Sequence, residues 1–246
     1  FKQKTAYEIM PSLVGSEMCI RDRPNSINID GLFSNIPNVV WTNQGPISIE
    51  EIDKKLHESK LNNNDLHIKS VDKFPCLTDY IVPRKVRIAD TSRVRLGAYL
   101  SEGTTVMHEG FVNFNAGTLG AAMIEGRISA GVVIGKNSDI GGGASTMGTL
   151  SGGNDTKIYI GENCLLGANS GIGISLGNNC TVEAGLYITA GTKVTMFDDG
   201  VSKIMKAGKL SGKPNILYYR DSTNGKVTAA TNNKISDLNK ELHSND

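Results

Sequence analysis

Residues 128–141, ISAGVVIGKNSDIG, place Ile128, Ile134 and Ile140 six positions apart, with Gly135 and Gly141 directly after the last two. A period of six fits neither the 3.6 of an α-helix nor the 2 of a long strand. It fits a coil whose flat faces are short strands, each turning a corner before the next hexad begins. The spacing extends in both directions. Upstream it runs through Ile88, Val94, Leu100, Val106 and Val112; downstream it resumes at Ile160, Leu166 and Ile172. A last run, shifted in phase, takes Leu176, Val182, Ile188 and Val194. The following residue is often small, as at Ala89, Gly135, Gly141, Gly161, Gly167, Gly173 and Gly177. Small residues suit corners that need unusual backbone angles and coils that approach closely. Self-similarity at a fixed short period is the mark of a solenoid, here a hexapeptide parallel β-helix. Three hexads make one triangular coil of about 18 residues, so 88–194 predicts roughly six coils. The hexad class is left-handed, an exception to the right-handed crossover rule. The fold class expected is therefore dominated by β structure.

The repeat is interrupted twice. Twenty residues separate Ile140 from Ile160, and the polar, glycine-rich Met147–Lys157 stretch is expected to leave the coil as a loop. The step from Ile172 to Leu176 is four, a local deletion at a corner. Loops on a rigid scaffold are where sites are commonly placed.

Flanking segments read differently. Residues 24–87 predict a small α/β N-terminal domain: Ser48 three before Glu51 suggests a capping box, with a helix over 48–60. Asn62–Asp65 forms a turn cluster, and Leu66–Val71 alternates as a strand. The coil domain is placed at 88–200. Residues 201–246 are read as a C-terminal cap and tail, with Lys203, Lys206, Lys209 and Lys213 preceding a strand at Ile216–Tyr219. Residues 1–23 lack the pattern of a secretory signal and resemble a translated sequencing adapter, so they are set aside as extraneous. Without them the cysteines are Cys76, Cys164 and Cys180, whose spacing suits neither a disulfide framework nor a zinc site. A reducing, cytoplasmic setting follows.

The 28 glycines are about 11% of the 246 residues, against roughly 7% on average. Charged residues make up 21% and the formal net charge is +1, which speaks against nucleic acid as a partner. No apolar run approaches the roughly 20 residues needed to span a bilayer.

Glu125 and Arg127 stand where the hexad phase breaks, in Met123–Ser129 (MIEGRIS). Alternation predicts that they share a face, where a guanidinium keeps a carboxylate charged. Such a pair could hold a substrate carboxylate and take a proton from an attacking amine, or be a surface ion pair. His108, beside Glu109, is a second candidate base or a structural histidine.

Gly97–Gly120 (GAYLSEGTTVMHEGFVNFNAGTLG), Ile124–Gly135, Gly141–Gly153, Cys164–Gly177 and Val182–Val194 together resemble the tetrahydrodipicolinate N-succinyltransferases, closest to their actinobacterial-type branch. Val71–Pro75 and Asp79-Tyr80 extend the resemblance upstream. Members are usually longer at the N-terminus, so the resemblance implies that part of that domain is missing. It further implies a homotrimer of left-handed β-helices with sites between subunits. Succinyl-CoA would donate its acyl group to the amino group of 2-amino-6-oxopimelate, hydrated tetrahydrodipicolinate, on the diaminopimelate route to lysine. The family's catalytic carboxylate, proposed to form an acyl anhydride, falls on Glu125, and its donor-binding Arg on Arg127. Further CoA contacts fall on Gly142, Ser145, Ala168, Glu183, Ala184 and Gly191, with Lys203 as another. The family's Mg²⁺ ligands near the threefold axis fall on Glu109, which is kept, and on Ser92, where the family has Asp. Two other readings stand beside this one. The chain could be another CoA-dependent hexapeptide N-acyltransferase with His108 as base, or an inactive trimeric scaffold. A hexapeptide carbonic anhydrase needs three His ligands, and of His57, His67, His108 and His243 only His108 lies in the coil.

Overall fold

The computed structural model describes residues 23–26, 28–148, 157–198, 201–233 and 238. The adapter-like segment, apart from Arg23, lies outside the described residues, as do positions 149–156 of the expected loop and most of the tail.

The lead-in has a short helix α1 (Leu32–Asn35), strands β1 (Val39–Thr42) and β2 (Gly45–Ile47), helix α2 (Ile52–Leu61) and strand β3 (Ile68–Asp72). The central strand β1 pairs antiparallel with β2 and with β3. The helix expected from residue 48 starts at Ile52, and the capping box does not form. Glu51 itself is the N-cap, without a side-chain cap bond, so Ser48 lies one turn too early and offers only its carbonyl to the Glu51 amide. Trp41 is buried and its indole N–H donates to the Asp72 carbonyl at 2.9 Å.

This sheet is fastened to the coil through Arg95, which donates to Asp72 at 2.6 Å and to Asn113 at 3.2 Å. Its guanidinium also lies 5.8 Å from the Phe74 ring and 5.9 Å from the Phe111 ring. Phe74 stacks on Phe114 with centroids 4.4 Å apart. A charge-assisted bond combined with ring contacts is worth about 2 kcal/mol when partly desolvated. Arg95→Ala is therefore expected to lower Tm by about 5 °C and to speed proteolysis within residues 28–75; an unchanged melt would remove Arg95 as the fastening.

From Arg87 the chain winds into three walls of short strands, every wall pairing in parallel. The first wall stacks Arg87–Ile88, Thr105–Val106, Ala122–Ile124, Ser138–Ile140, Leu165–Leu166 and Thr181–Val182. The second stacks Phe111–Val112, Arg127–Ile128, Ser145–Thr146, Gly171–Gly173 and Tyr187–Thr189. Gly117–Thr118, Val133–Ile134 and Tyr159–Ile160 form the third. This is the hexapeptide coil expected, and its aliphatic positions line one continuous core. Where the sequence pattern falls silent, threonine takes the inward place: Thr118 and Thr146 are both 0% exposed. Their hydroxyls are satisfied inside, Thr118 with the Thr104 hydroxyl at 2.7 Å and Thr146 by donating to the Arg127 carbonyl at 2.9 Å.

The two reasons offered for small residues at corners fall on different positions. The glycines directly after the inward aliphatics owe their identity to close approach: a Cβ on Gly161 would lie 2.5 Å from the Gly177 backbone. The left-handed backbone comes later in each corner and is filled by asparagine, as at Asn137 (φ 58°), Asn163 (φ 54°) and Asn179 (φ 60°), about as often as by glycine. Asparagine tolerates that region better than other side chains. Asn163 donates to Asn179 at 3.3 Å and Asn179 to Asn215 at 3.0 Å, a ladder down one edge.

The expected strand at Ile216–Tyr219 appears as Ile216–Arg220 and pairs in parallel with Thr181–Val182, adding a rung to the first wall. Buried Tyr218 and Leu210 close that end of the core.

Candidate active site

At the edge between the first and second walls, the inward residues step by six at 106→112, 140→146, 166→172 and 182→188. The coil between Ile124 and Ile128 makes the same corner in four, while both isoleucines stay fully buried. The phase break seen in the sequence is thus a corner two residues short, occupied by Glu125, Gly126 and Arg127. Rungs of a sheet lie about 4.8 Å apart, so the corners above (Met107–Gly110) and below (Gly141–Ala144) lie about 10 Å apart. The recessed coil lets side chains meet across that gap. A Cβ placed on Gly142 would lie 3.4 Å from Glu109 Oε2 and 3.8 Å from Glu125 Oε2. The two carboxylates therefore converge on Gly142 from different coils.

The backbone around the recess is fixed. The Glu125 amide donates to the Ile140 carbonyl at 2.8 Å and the Arg127 amide to Ala144 at 2.7 Å. A Cβ on Gly126 would come within 2.4 Å of the Ala144 carbonyl, so a side chain there would push the short corner outward. Arg93 holds the upper turn by donating to the carbonyls of Glu109 at 2.7 Å and Gly110 at 3.2 Å.

Glu125 and Arg127 do not form the expected ion pair: among the described residues none joins them. The chain turns the corner between them, and Arg127 instead donates to the Ser145 hydroxyl, from Nη2 at 2.7 Å and from Nε at 3.2 Å. The other N–H groups of this exposed guanidinium remain for a ligand.

Of the remaining expected contacts, Ala168 and Ala184 are exposed on this same edge, one and two coils below Gly142. Glu183 lies there too, but its carboxylate accepts the Arg220 amide at 2.7 Å. Gly191 and Lys203 are placed apart from the recess. Gly191 sits in the turn after Tyr187–Thr189, at another edge, and Lys203 lies on a hairpin strand opposite Met196. His108 is exposed beside Glu109, near the Asp90 carboxylate. Ser92 donates to Asp90 from its hydroxyl at 2.6 Å and its amide at 3.0 Å, bonds that lower the Asp90 pKa most, with Arg93 and His108 adding to the effect.

One residue that sequence reasoning passed over belongs here. Asp139 faces outward on the rung below Met123, and burial, with the Glu125 carboxylate nearby, raises its pKa from 3.8 to about 6. The folded state then holds this proton more tightly than the unfolded chain does. Its contribution to stability accordingly falls as pH rises from 3.8 to about 6.

A Pseudomonas aeruginosa 2,3,4,5-tetrahydropyridine-2,6-dicarboxylate N-succinyltransferase is 57% identical to this chain over 223 residues, 90% of the chain and 65% of the relative. Over nine tenths of its length the chain is similar to the tetrahydrodipicolinate N-succinyltransferases. A Vibrio cholerae relative of the same name is 54% identical over 225 residues, 91% of the chain and 66% of the relative. Residues 36–75 match the family described as tetrahydrodipicolinate N-succinyltransferase middle, and 157–190 the hexapeptide repeat of succinyl-transferase. A Campylobacter jejuni structure, described as a 2,3,4,5-tetrahydropyridine-2-carboxylate N-succinyltransferase, superposes with a TM-score of 0.82 at 38% identity, covering 91% of this chain and 63% of that one. The chain spans somewhat under two thirds of the length of the relatives it matches.

Proposed function

We propose that this chain carries the succinyl-transfer site of a tetrahydrodipicolinate N-succinyltransferase serving diaminopimelate and lysine synthesis. Succinyl-CoA is the donor and the amino group of 2-amino-6-oxopimelate the acceptor. The observation that carries the reading is the shortened corner, which sets the Glu125 and Glu109 carboxylates against Gly142 with Arg127 held on Ser145 alongside. The amine nitrogen attacks the thioester carbon, a Glu125 oxygen takes a proton from that nitrogen, and the C–S electron pair leaves on sulfur as the CoA thiolate, which takes its proton from solvent. In the alternative order, Glu125 attacks first and the amine resolves the acyl anhydride. Arg127 supplies positive charge to the donor in either order, and the exposed edge at Gly142, Ala168 and Ala184 offers backbone groups to an extended pantetheine arm. Glu183 lies on this edge with its carboxylate taken by the Arg220 amide, whereas Gly191 and Lys203 join the donor site only where the ligand reaches past the edge.

The coil is left-handed in this reading, which the match of residues 157–190 to the hexapeptide repeat of succinyl-transferase supports. A homotrimer with sites in the inter-subunit grooves accounts for an edge site open on one side. Among the described residues of one chain, no three His, Cys, Asp or Glu side chains come together. A Mg²⁺ ion on Glu109 would therefore need ligands from three copies, and no step is routed through it. No helix among the described residues is long and apolar enough to cross a membrane, and a cytoplasmic setting suits a CoA-dependent biosynthetic enzyme.

The test is release of CoA thiol when succinyl-CoA and the acceptor are mixed with the assembled protein. No release from an intact trimer favours the scaffold reading. Ser145→Ala removes the acceptor that orients Arg127, and a hydrogen bond to a charged group is worth about 1.5 kcal/mol or more. The KM for succinyl-CoA is then expected to rise about tenfold with kcat little changed. An unchanged KM would remove Arg127 from donor binding.

A further inference from the structure

The first wall carries an outward ladder in register: Thr105, Met123, Asp139, Leu165, Thr181. An aspartate in the middle of it breaks the local rule, because strands disfavour Asp and an unpaired carboxylate loses solvation when covered. Its flanking rungs supply Met123, which is 7% exposed, and half-buried Leu165, neither of which can bond to it. Among the described residues no side chain donates a hydrogen bond to Asp139. Its amide is committed to the Cys164 carbonyl at 2.8 Å, and the Cys164 thiol is turned to the Gly177 carbonyl at 3.1 Å. From the rung above, the Glu125 carboxylate lies near enough to add to the effect of burial on it. Lys136 is exposed before the strand, and the Arg127 guanidinium at the corner is held by Ser145. Glu125 itself is tied to the Asp139 strand by its amide bond to Ile140 at 2.8 Å. Residues that break a local rule without structural gain cluster at functional sites.

We propose that Asp139 is a positioning residue for Glu125, a second carboxyl that receives the proton Glu125 removes from the attacking amine and passes it to solvent. The inference rests on the reading of Glu125 as the group that deprotonates the acceptor. The step balances: the N–H bond breaks as the Glu125 O–H forms, and the same proton moves to a carboxylate oxygen of Asp139, restoring the Glu125 carboxylate. No oxidant, metal or second substrate takes part.

Two measurements on the assembled full chain test it. The first is the carbon-13 titration of the Asp139 side-chain carboxyl in the wild type and in Glu125→Gln. If the groups are coupled, the Asp139 midpoint falls in the variant; an unmoved midpoint overturns the pairing. The second is the pH profile of kcat for Asp139→Asn. The proposal expects kcat at neutral pH about tenfold lower, an unchanged KM for succinyl-CoA and a displaced acid limb, with Asp139→Glu restoring part of the rate. A uniformly scaled profile of unchanged shape overturns the proton route. If the wild type releases no thiol, the reading of the site fails and the route with it, while the titration still decides whether the two carboxyls are coupled.

Discussion

Glu125→Gln is expected to lower kcat for succinyl transfer about 10²–10⁴-fold, with an unchanged melting curve. Gln has the same shape, and what ties this corner to its neighbours is backbone: the Glu125 amide to Ile140, the Arg127 amide to Ala144 and the Phe111 amide to Gly126, at 2.8, 2.7 and 3.0 Å. None of these bonds uses the carboxylate. The substitution leaves the recess in place and removes only the oxygen that can hold a proton or attack a thioester. Both chemical orders fail together, and they separate on a further readout: a nucleophile leaves a succinylated enzyme in single turnovers without acceptor, whereas a base leaves none. Turnover at the wild-type rate would exclude both roles.

The largest structural effect is expected from Gly117→Ala. A Cβ there would sit 1.8 Å from the Tyr99 carbonyl oxygen and 2.7 Å from its carbon, backbone atoms that no rotamer change can move aside. Tyr99 is itself pinned, its amide donating to Ala116 at 3.0 Å and its carbonyl accepting the Thr118 amide at 2.9 Å. The Tyr99 segment, bridged in parallel to Gly117, must therefore separate from the first strand of the third wall. Overpacking of this kind costs about 3 kcal/mol or more, which for a chain of this size lowers Tm by about 10 °C. Gly191→Ala is the control, since nothing lies within 4 Å of a Cβ at that position. Equal melting temperatures for the two variants would show that the rungs yield.

The coil was readable because burial at every sixth position leaves little choice but an aliphatic. It became unreadable where Thr118 and Thr146 stood in for aliphatics, since a hydroxyl can enter the core when a neighbouring rung satisfies it. The asparagine corners were missed for a related reason: glycine announces conformational freedom, while asparagine is common in ordinary loops. At the site, the phase break drew attention to Glu125 and Arg127 but suggested a pairing between them. Only the stacking of coils shows that the missing pair of residues joins Glu109 to Gly142 and leaves Arg127 to Ser145. Asp139 carried no signal at all, because its meaning lies in the rung above it. The donor contacts inferred from resemblance divide in the same way, with Gly142 and Ser145 on the coil below the recess, Ala168 and Ala184 further down the same edge, and Gly191 and Lys203 apart from it.

In a solenoid each corner can change length without disturbing the register of the walls, as Ile124 and Ile128 demonstrate by remaining in the core across the short step. A site built by subtraction asks little of evolution. An in-frame loss of six nucleotides at one corner brings coils that were strangers into reach of each other, and the same short insertion would close the gap again. The reach between neighbouring coils can therefore be altered on a genetic scale far smaller than a loop or a domain.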